Sequence, residues 1–520
     1  MKNNKNHLIN LISVLLVQVT GLIISFWLSP YIIKNIGIEA NGFVSLANNF
    51  VSYAALIVGA LNSMSTRYIT VEYVKNDYDK ANLYYNSVLW GKWFIIAVLL
   101  LPAIIFVVNL ENVINIPQDV VIDVKILFAL VFFNFFIQVM APNWDCGTYI
   151  TNKLSRTYIP SALLAVLRCI MLVLLMTLFV PKVWFLGFVA SIITIISLFV
   201  SWYNTHKLTP HLKVYLGKKN RKFSFGVIKE LLGSGIWNTV SDVGSILLNN
   251  VDLLICNLFI GPTEMGILAL SKVLPNLIQS VATSVRGIFA PNLLINYAKG
   301  EKDEVIKDIR KAMKLLSVIV VVPLVGIVVL CRDFYTLWVP NQNAGLLSSL
   351  TIISCLCFSV ICGIQVLYNV FLVVNKVKEN AIMLLISGGI SALITFILLS
   401  TTSLGVFAVV GVHSVVNLLL NLFFTVPYTA KYLGLKPTSF FPQVLLCVTS
   451  TIVLTVIGFI VKSFFVITSW VSFFGVALLL GTLFLAINVF IFLNKDERSF
   501  LFNKIKILGK NKKSSETETN

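Results

Sequence analysis

Two stretches of this otherwise apolar chain carry polar and ionisable side chains at the spacing of a helix face. In the first, successive members are four or three positions apart: Asn238, Asp242, Ser245, Asn249 and Asp252. The second has the same steps: Lys272, Asn276, Gln279, Thr283 and Arg286. Residues three and four apart lie on one side of an α-helix, so each stretch predicts a polar stripe. Carboxylates in such a stripe could couple to an ion, whereas cations with amides could bind phosphate and hydroxyl groups.

The helices that carry these stripes must lie in a lipid bilayer. Of 520 residues, 58% are hydrophobic and only 12% are charged, whereas soluble proteins have about 25% charged residues. The mean hydropathy is +0.90. A spanning helix needs about 20 mostly apolar residues, and the sequence contains fourteen such runs. The predicted fold class is therefore an all-α polytopic membrane protein with 14 transmembrane helices.

The positions of Lys and Arg predict the orientation. With the N-terminus in the cytoplasm, 31 of the 40 cationic residues lie in cytoplasmic segments and 4 in external ones. Cytoplasmic loops carry an excess of Lys and Arg, so we expect both termini in the cytoplasm. The net charge of +18 is thus a topology signal, and no nucleic-acid partner is predicted.

An internal repeat divides the chain. Residues 37–42 read GIEANG and residues 261–266 read GPTEMG, and the offset of 224 holds over more than forty positions. Six helices per half give two parallel six-helix repeats plus two extra C-terminal helices. The predicted divisions are an N-lobe at 1–204, a basic cytoplasmic connection at 205–228, a C-lobe at 229–430, helices 13–14 at 441–494 and a basic cytoplasmic tail at 495–520.

Predicted helices 1 (8–33), 2 (42–66), 7 (229–258) and 8 (264–290) are expected to line a central cavity, because the offset relates the two stripes to Gln18 and Asn48. Interhelical hydrogen bonds explain the Ser and Thr members well. An ionisable group at mid-membrane costs at least about 2.5–3.5 kcal/mol, so a functional role is favoured for Asp242 and Lys272, although an ion pair between them is the structural alternative. Arg168 is similarly deep.

Four further residues carry local expectations. Pro275 removes one backbone hydrogen bond and predicts a bend or hinge in helix 8. Lys92, Lys125 and Arg286 lie nearer helix ends, where long cationic side chains are expected to snorkel to the interface.

The sequence predicts no metal site, disulfide framework or nucleotide-binding loop. The eight cysteines contain no C-x-x-C, and the four histidines are scattered singly. The Asp77-Tyr78-Asp79 motif is interpreted as a solvated loop. No cofactor is predicted, and a proton or sodium gradient is the expected energy source.

Several segments carry a family resemblance: PYIIKNIGIEANGFVSLANNF at 30–50, STRYI at 65–69, DLLICNLFIGPTEMGILALSKVLPNL at 252–277 and VRGIFAPNLLINYAKGE at 285–301. Together with the arrangement of two six-helix repeats and two further helices, these segments make the chain resemble the Wzx-like oligosaccharide flippases. These form the polysaccharide-transporter branch of the multidrug/oligosaccharidyl-lipid/polysaccharide exporter superfamily.

The resemblance implies that the protein is a flippase in the bacterial cytoplasmic (inner) membrane and that it is not an enzyme. Its substrate would be a polyprenyl-diphosphate-linked oligosaccharide repeat unit for surface polysaccharide such as O-antigen or capsule. By carry-over, Arg168, Lys272 and Arg286 would face a cavity that opens alternately to each side, with Asp242 and Asp252 on helix 7. A monomer is expected, with glycosyltransferases and a polymerase as pathway partners.

Roles for the stripe residues complete the predicted site. The diphosphate would be bound by Lys272, Arg168 and Arg286. The sugar hydroxyls would form hydrogen bonds with Asn276, Gln279, Asn48 and Gln18. Asp242, Asp252 and Asn249 are the candidates for ion coupling.

Three other functions stay open. An ion-coupled multidrug antiporter of the same superfamily usually stops at twelve helices. A peptidoglycan lipid-precursor flippase also has fourteen. A membrane polysaccharide polymerase usually places a long external loop over its active site, and here every predicted external loop is short.

Overall fold

The computed structural model describes residues 2–215, 223–493 and 498, and all regular structure in this part of the chain is helical. Within these described residues, thirteen helices are long and apolar enough to cross a membrane, or fourteen if the bent pair Gly235–Asn249 and Asp252–Phe259 is one span. Lipid offers no hydrogen-bond partners to the backbone, so apolar runs of this length fold as helices. The predicted all-α polytopic membrane fold is confirmed. Positions 216–222 of the basic connection and all of the tail except 498 lie outside the described residues.

The helices of the first half correspond to predicted spans 1–6 and their connections. They are α1 (Lys2–Ile36), α2 (Ile38–Val74), α3 (Tyr78–Val108), α4 (Leu110–Val113), α5 (Val121–Met140), α6 (Cys146–Ile150), α7 (Ser155–Leu178) and α8 (Trp184–Leu208).

The second half has more breaks within its spans. Its helices are α9 (Phe225–Asn249), α10 (Asp252–Phe259), α11 (Pro262–Ser271), α12 (Val273–Ala298), α13 (Lys302–Trp338), α14 (Ala344–Leu356), α15 (Phe358–Ile364), α16 (Tyr368–Val373), α17 (Val377–Thr401), α18 (Val406–Leu420) and α19 (Val426–Tyr432). The two extra helices are α20 (Phe441–Lys462) and α21 (Trp470–Phe492).

The chain forms two compact units. Unit 1 comprises Met1–Leu270 and Lys378–Val409, and unit 2 comprises Ser271–Val377 and Val410–Asn520. Within unit 1, α2 packs on α3 and α9, α1 on α7, and α5 on α8. Within unit 2, α13 is central and packs on α12, α14, α20 and α21 around a continuous apolar core. The N-lobe and C-lobe derived from the repeat stay a prediction.

Helix boundaries recur at the repeat offset. α2 begins at residue 38 and α11 at residue 262, a difference of 224. α2 ends at residue 74 and α12 at residue 298, which is the same difference. The same difference separates the starts of α3 and α13 and the ends of α8 and α19. Positive φ angles recur at the same offset. Gly37 and Gly261 have φ of 109° and 152°, and Asn76 and Gly300 have φ of 63° and 80°. The left-handed region favours glycine, which explains the paired glycines before α2 and α11.

The first polar stripe is interrupted, which corrects the prediction of five residues on one helix face. A bend of 40° separates α9 from α10, so Asp252 starts a new helix, and its Oδ1 accepts from the Leu253 N–H (2.8 Å). The bend frees the Asn250 carbonyl, which accepts from Asn49 Nδ2 (2.8 Å) and Tyr53 Oη (2.9 Å) of α2. Side chains from a distant helix therefore stabilise the break.

The bend predicted at Pro275 appears as a break between α11 and α12, at Lys272. Proline cannot donate to the carbonyl four residues earlier, here that of Ser271. The buried Thr351 hydroxyl donates to this carbonyl instead (3.0 Å). Lys272 thus lies, half-buried, at an irregular point of the span.

Repeat-related residues meet within unit 1, where α2 passes α11. A Cβ added to Gly42 would lie 3.0 Å from Gly266 Cα, and one added to Gly266 would lie 2.5 Å from the Ile38 carbonyl oxygen. Thr263 Oγ1 donates to Glu39 Oε1 (2.7 Å), again between positions 224 apart. Because neither glycine has a side chain, the backbones of α2 and α11 can come into contact here.

Candidate functional site

The predicted residues of unit 1 lie on five helices, of which α7 carries Arg168. Gln18 on α1, Asn48 on α2 and Asp242 on α9 are exposed, while Asn249 and Asp252 are half-buried. Asn48 Nδ2 donates to the Val44 carbonyl of its own helix (2.9 Å), and Asn249 Nδ2 to the Ser245 carbonyl (2.7 Å). Asp242 makes no hydrogen bond or ion pair with the described residues of unit 1.

Arg168 differs from these residues because part of its charged group is enclosed. It lies on α7, and its Nε is buried without a hydrogen-bond partner among the described residues. A buried guanidinium nitrogen without a partner carries a desolvation cost. The prediction that Arg168 is a deep cation is consistent with this placement.

In unit 2 the structure places two predicted residues, Gln279 and Arg286, in a polar group between helices. We call this group the Arg286 cluster; its members are Gln279, Arg286, Gln365, Tyr368, Asn369, Asn417 and Asn421. They come from α12, from the turn at Gln365–Leu367 with α16, and from α18 with the turn that follows it. Asn276 and Lys272 precede this cluster along the span.

Arg286 is held from two sides. Its guanidinium carbon lies 5.7 Å from the centroid of the Tyr368 ring, within cation–π range. Asn369 Nδ2 donates to the Arg286 carbonyl (3.1 Å). An aromatic ring of a neighbouring segment therefore contacts the guanidinium, and the snorkelling of Arg286 to the interface stays a prediction.

Amide side chains complete the cluster. Tyr368 Oη donates to Asn421 Oδ1, and Asn421 Nδ2 donates to Asn417 Oδ1 (2.9 Å). Gln365 Nε2 donates to Gln279 Oε1 (3.3 Å), and Gln365 Oε1 is buried without a partner among the described residues. Gln365 is 1% exposed and Asn421 is fully buried, so these amides are fixed by packing.

The backbone is irregular at this cluster. Gln365–Leu367 forms a 3₁₀ turn between α15 and α16, and Asn421–Thr425 forms a turn of π-helix between α18 and α19. Single π turns inside helices frequently occur at functional sites. Tyr368, the first residue of α16 after the 3₁₀ turn, hydrogen-bonds to Asn421, the first residue of the π turn.

The electrostatic character of the cluster is cationic. Within the described residues of unit 2, Arg286 has no carboxylate partner, and its interacting side chain is the neutral Tyr368. A guanidinium can bind a phosphate through two parallel hydrogen bonds. The exposed Gln279 and the half-buried Asn417 offer donors and acceptors for hydroxyl groups. The arrangement can therefore hold an anionic group next to a polyhydroxylated one.

Sequence reasoning missed the partners of Arg286. Gln365, Tyr368 and Asn369 lie in the run GIQVLYNV at 363–370, a polar interruption of the tenth span that could have served as a signal. Asn417 and Asn421 are four residues apart and share a helix face, which the same inspection would have found.

Lys92 corrects another expectation. It was expected to snorkel, yet it is 5% exposed within unit 1, and its Nζ donates to Asn143 Oδ1. Asn143 Nδ2 in turn donates to Ser65 Oγ (2.6 Å). The segment 141–154 folds over α3 and covers the ammonium group, so a polar network replaces the interface as its surroundings.

Lys125, near the start of α5, contacts α3 and α4. Lys125 Nζ pairs with Glu111 Oε2 (2.5 Å) and donates to the Val108 carbonyl (2.7 Å).

Across the described residues, no group of three or more His, Cys, Asp and Glu side chains is arranged to hold a metal ion.

Comparison with known proteins agrees with this architecture. Residues 8–293, more than half of the chain, match the family described as polysaccharide biosynthesis protein. The chain is 26% identical over 510 residues to the uncharacterized membrane protein EpsK of Bacillus subtilis (strain 168), covering 97% of this chain and 98% of that protein.

Solved structures share the fold. The lipid II flippase MurJ, in an inward closed conformation, matches with a TM-score of 0.64 at 16% identity, over 93% of this chain and 98% of that one. An inward-facing MATE multidrug resistance transporter of the MOP superfamily matches with a TM-score of 0.56 at 14% identity, over 81% and 94%. These TM-scores show that the chain has the fold of MOP-superfamily transporters and flippases. The family match over residues 8–293 shows that this multi-pass membrane protein belongs to the polysaccharide biosynthesis protein family.

Proposed function

We propose that this protein is a flippase that moves a polyprenyl-diphosphate-linked oligosaccharide repeat unit from the cytoplasmic to the outer leaflet by alternating access. It would serve surface polysaccharide assembly in a bacterial cytoplasmic membrane. It would not catalyse a covalent reaction, and glycosyltransferases and a polymerase would act before and after it.

The Arg286 cluster is the observation that carries this proposal. A diphosphate carries about two negative charges, and moving it through hydrocarbon without a counter-charge is prohibitive. A guanidinium without a carboxylate partner among the described residues of unit 2, with the exposed amide of Gln279 two turns away on the same helix, suits the point where the diphosphate joins the first sugar. A multidrug antiporter for organic cations would instead need an anionic or aromatic site.

Two further cations are candidate diphosphate ligands, each within its own unit. Arg168 has a buried Nε without a hydrogen-bond partner among the described residues, so an incoming phosphate oxygen would relieve its desolvation. Lys272, at the break between α11 and α12, would act as a point charge. Asn276 and Gln279 on the same span are exposed and are assigned to sugar hydroxyls.

Reconstitution tests the proposal directly. The full chain is placed in liposomes that contain a fluorescent polyprenyl-diphosphate oligosaccharide, and the labelled lipid reaching the opposite leaflet is measured with a membrane-impermeant quencher. Translocation clearly faster than in protein-free liposomes is expected. Faster movement of a lipid-linked peptidoglycan precursor, or export of a cationic dye alone, would assign the protein to one of the two alternative functions.

Topology gives the first prediction. A cysteine replacing Asp303, at the start of α13, should react with a membrane-impermeant maleimide only from the cytoplasmic side, whereas one replacing Lys182 should react from outside. The reason is the concentration of Lys and Arg in the even-numbered connections. The unsubstituted chain serves as control, because seven of its eight cysteines are buried and Cys169 is half-buried. External labelling at 303 would contradict the orientation. Position 218, in the same predicted compartment, lies outside the described residues.

Energy coupling gives the second prediction. Asp242→Asn should abolish the stimulation of transport by a proton or sodium gradient and leave gradient-free exchange in place, because an amide can neither release a proton nor attract a cation. The measurement is flipping in liposomes with and without an imposed gradient. Asp119→Asn makes the same chemical change at an exposed position outside the long helices and should have no effect. Full gradient stimulation in Asp242→Asn would assign coupling elsewhere.

A further inference from the structure

Two adjoining cavities lie on unit 1 where α5 and α8 end and α7 begins. The first, of about 670 Å³, runs between α7 and α8; its apolar lining includes Ile159, Pro160, Ile196 and Val200. The second, of about 470 Å³, runs between α5 and α8; its lining includes Ile137, Met140, Ile195 and Leu198. Phe199 and Trp202 line both cavities. These two side chains therefore form a ridge with a groove on each side, which we call the double groove.

The double groove is open and apolar. Phe199 is 65% exposed, and Ile159, Met140 and Trp202 are also exposed. In a chain that spans a bilayer, exposed apolar side chains of this size face acyl chains. The two cavities use neighbouring residues of α8, 195–204, so they lie at one depth in the membrane.

Cationic and aromatic side chains gather at one end of the double groove. Arg156 lines the first cavity and is exposed, without an ion pair among the described residues. Lys207 Nζ lies 3.2 Å from Tyr203 Oη and 5.4 Å from the centroid of its ring. Asp145, at the same end, accepts from Ser201 Oγ (3.2 Å). Trp and Tyr at helix ends mark the level of the lipid headgroups.

The polar end is held in place before any ligand arrives. Asn204, buried near the end of α8, donates through Nδ2 to the Arg156 carbonyl at the start of α7 (2.9 Å). This contact fixes the backbone on both sides of the first cavity, so binding there requires little ordering of the protein.

We propose that the double groove binds one anionic diacyl phospholipid of the surrounding membrane. The head phosphate lies between Arg156 and Lys207, and one acyl chain occupies each cavity beside the Phe199–Trp202 ridge. Two grooves at one depth match two chains, whereas a single prenyl chain would fill one of them. Lys and Arg at the membrane surface attract anionic headgroups. The proposal requires only that the chain spans a bilayer, so it is independent of the transported substrate.

Lipid titration with native mass spectrometry tests this site. The purified full chain in detergent is titrated with phosphatidylglycerol or phosphatidylcholine carrying the same acyl chains. We expect one phosphatidylglycerol molecule to be retained preferentially, and Arg156→Gln and Lys207→Gln each to weaken its binding about fivefold, with phosphatidylcholine unaffected. Lys299→Gln removes the same charge at an exposed position at the end of α12 and should leave binding unchanged.

Two outcomes would overturn the proposal. Equal retention of both lipids would show that the groove does not prefer an anionic headgroup, and an equal loss in Lys299→Gln would show that the preference comes from overall charge. Tighter binding of a single-chain polyprenyl phosphate, in competition with phosphatidylglycerol, would exclude the diacyl assignment. Val200→Trp and Leu198→Trp, which fill one groove each, should lower binding of both phospholipids. The Gln variants change exposed side chains only, so they test the site even if a groove-filling variant does not fold.

Discussion

Arg286→Gln is expected to lower the rate of lipid-linked oligosaccharide translocation at least about 30-fold, because loss of one partner of an enclosed charge pair costs about 2–5 kcal/mol. In the protein as described, Arg286 lies over Tyr368 and has no carboxylate partner within unit 2. Its charge is therefore available to a ligand. Glutamine keeps hydrogen-bonding capacity and removes the charge, so the variant isolates the electrostatic contribution.

Graded variants separate phosphate binding from support of the fold. Arg286→Lys should retain part of the activity, since lysine supplies a point charge without the bidentate geometry of a guanidinium. Tyr368→Phe keeps the ring beside the guanidinium and removes the hydrogen bond to Asn421, so it should reduce transport much less than Arg286→Gln. A purely structural role for the cluster would reverse that order.

The measurement is flipping in liposomes at matched protein content, with accumulation of lipid-linked repeat units in cells as a second readout. Arg310→Gln is the matched control, because Arg310 is an exposed arginine on α13 and its loss changes net charge equally. If Arg286→Gln, present in the membrane at normal amounts, flips substrate at the rate of the unsubstituted chain, the diphosphate site lies elsewhere.

Gly266→Ala is expected to destabilise the protein by about 1–3 kcal/mol, the usual cost of overpacking. The added Cβ would lie 2.5 Å from the carbonyl oxygen of Ile38 and 2.9 Å from its carbonyl carbon. Both are backbone atoms, so no side-chain rotation relieves the contact, and α11 must move away from α2. The hydrogen bond between Thr263 and Glu39 at the same crossing (2.7 Å) should weaken with it.

Gly287→Ala is the control within the same membrane span. A Cβ at Gly287 meets nothing within 4 Å, and alanine is favoured over glycine in a helix by about 0.5–1 kcal/mol. Thermal unfolding in detergent, followed by size-exclusion chromatography of the heated protein, should therefore give a lower midpoint for Gly266→Ala and an unchanged or higher one for Gly287→Ala. Equal midpoints would mean that α2 and α11 do not pack this closely.

The sequence by itself determined the features that depend on the chain's local chemistry and its solvent. Long apolar runs must become helices because lipid cannot satisfy the backbone. Pro275 lacks an N–H to donate, and the sequence correctly predicted an irregularity near it, which lies between α11 and α12. The paired glycines at 37 and 261 mark positive φ angles that other residues avoid, and the same offset of 224 reaches the ends of α8 and α19.

Tertiary structure decided which polar side chains meet. The second stripe contained Gln279 and Arg286, but their partners Gln365 and Tyr368 follow about 80 positions later, and no local rule states which faces of two apolar helices will touch. Asn49 and Tyr53 similarly hold the bend at Asn250 from another helix. Lys92 lies near a helix end in sequence and is nevertheless enclosed, because the segment at 141–154 folds over it. Helix spacing fixes the side on which a residue lies, and packing between distant segments fixes what that side contacts.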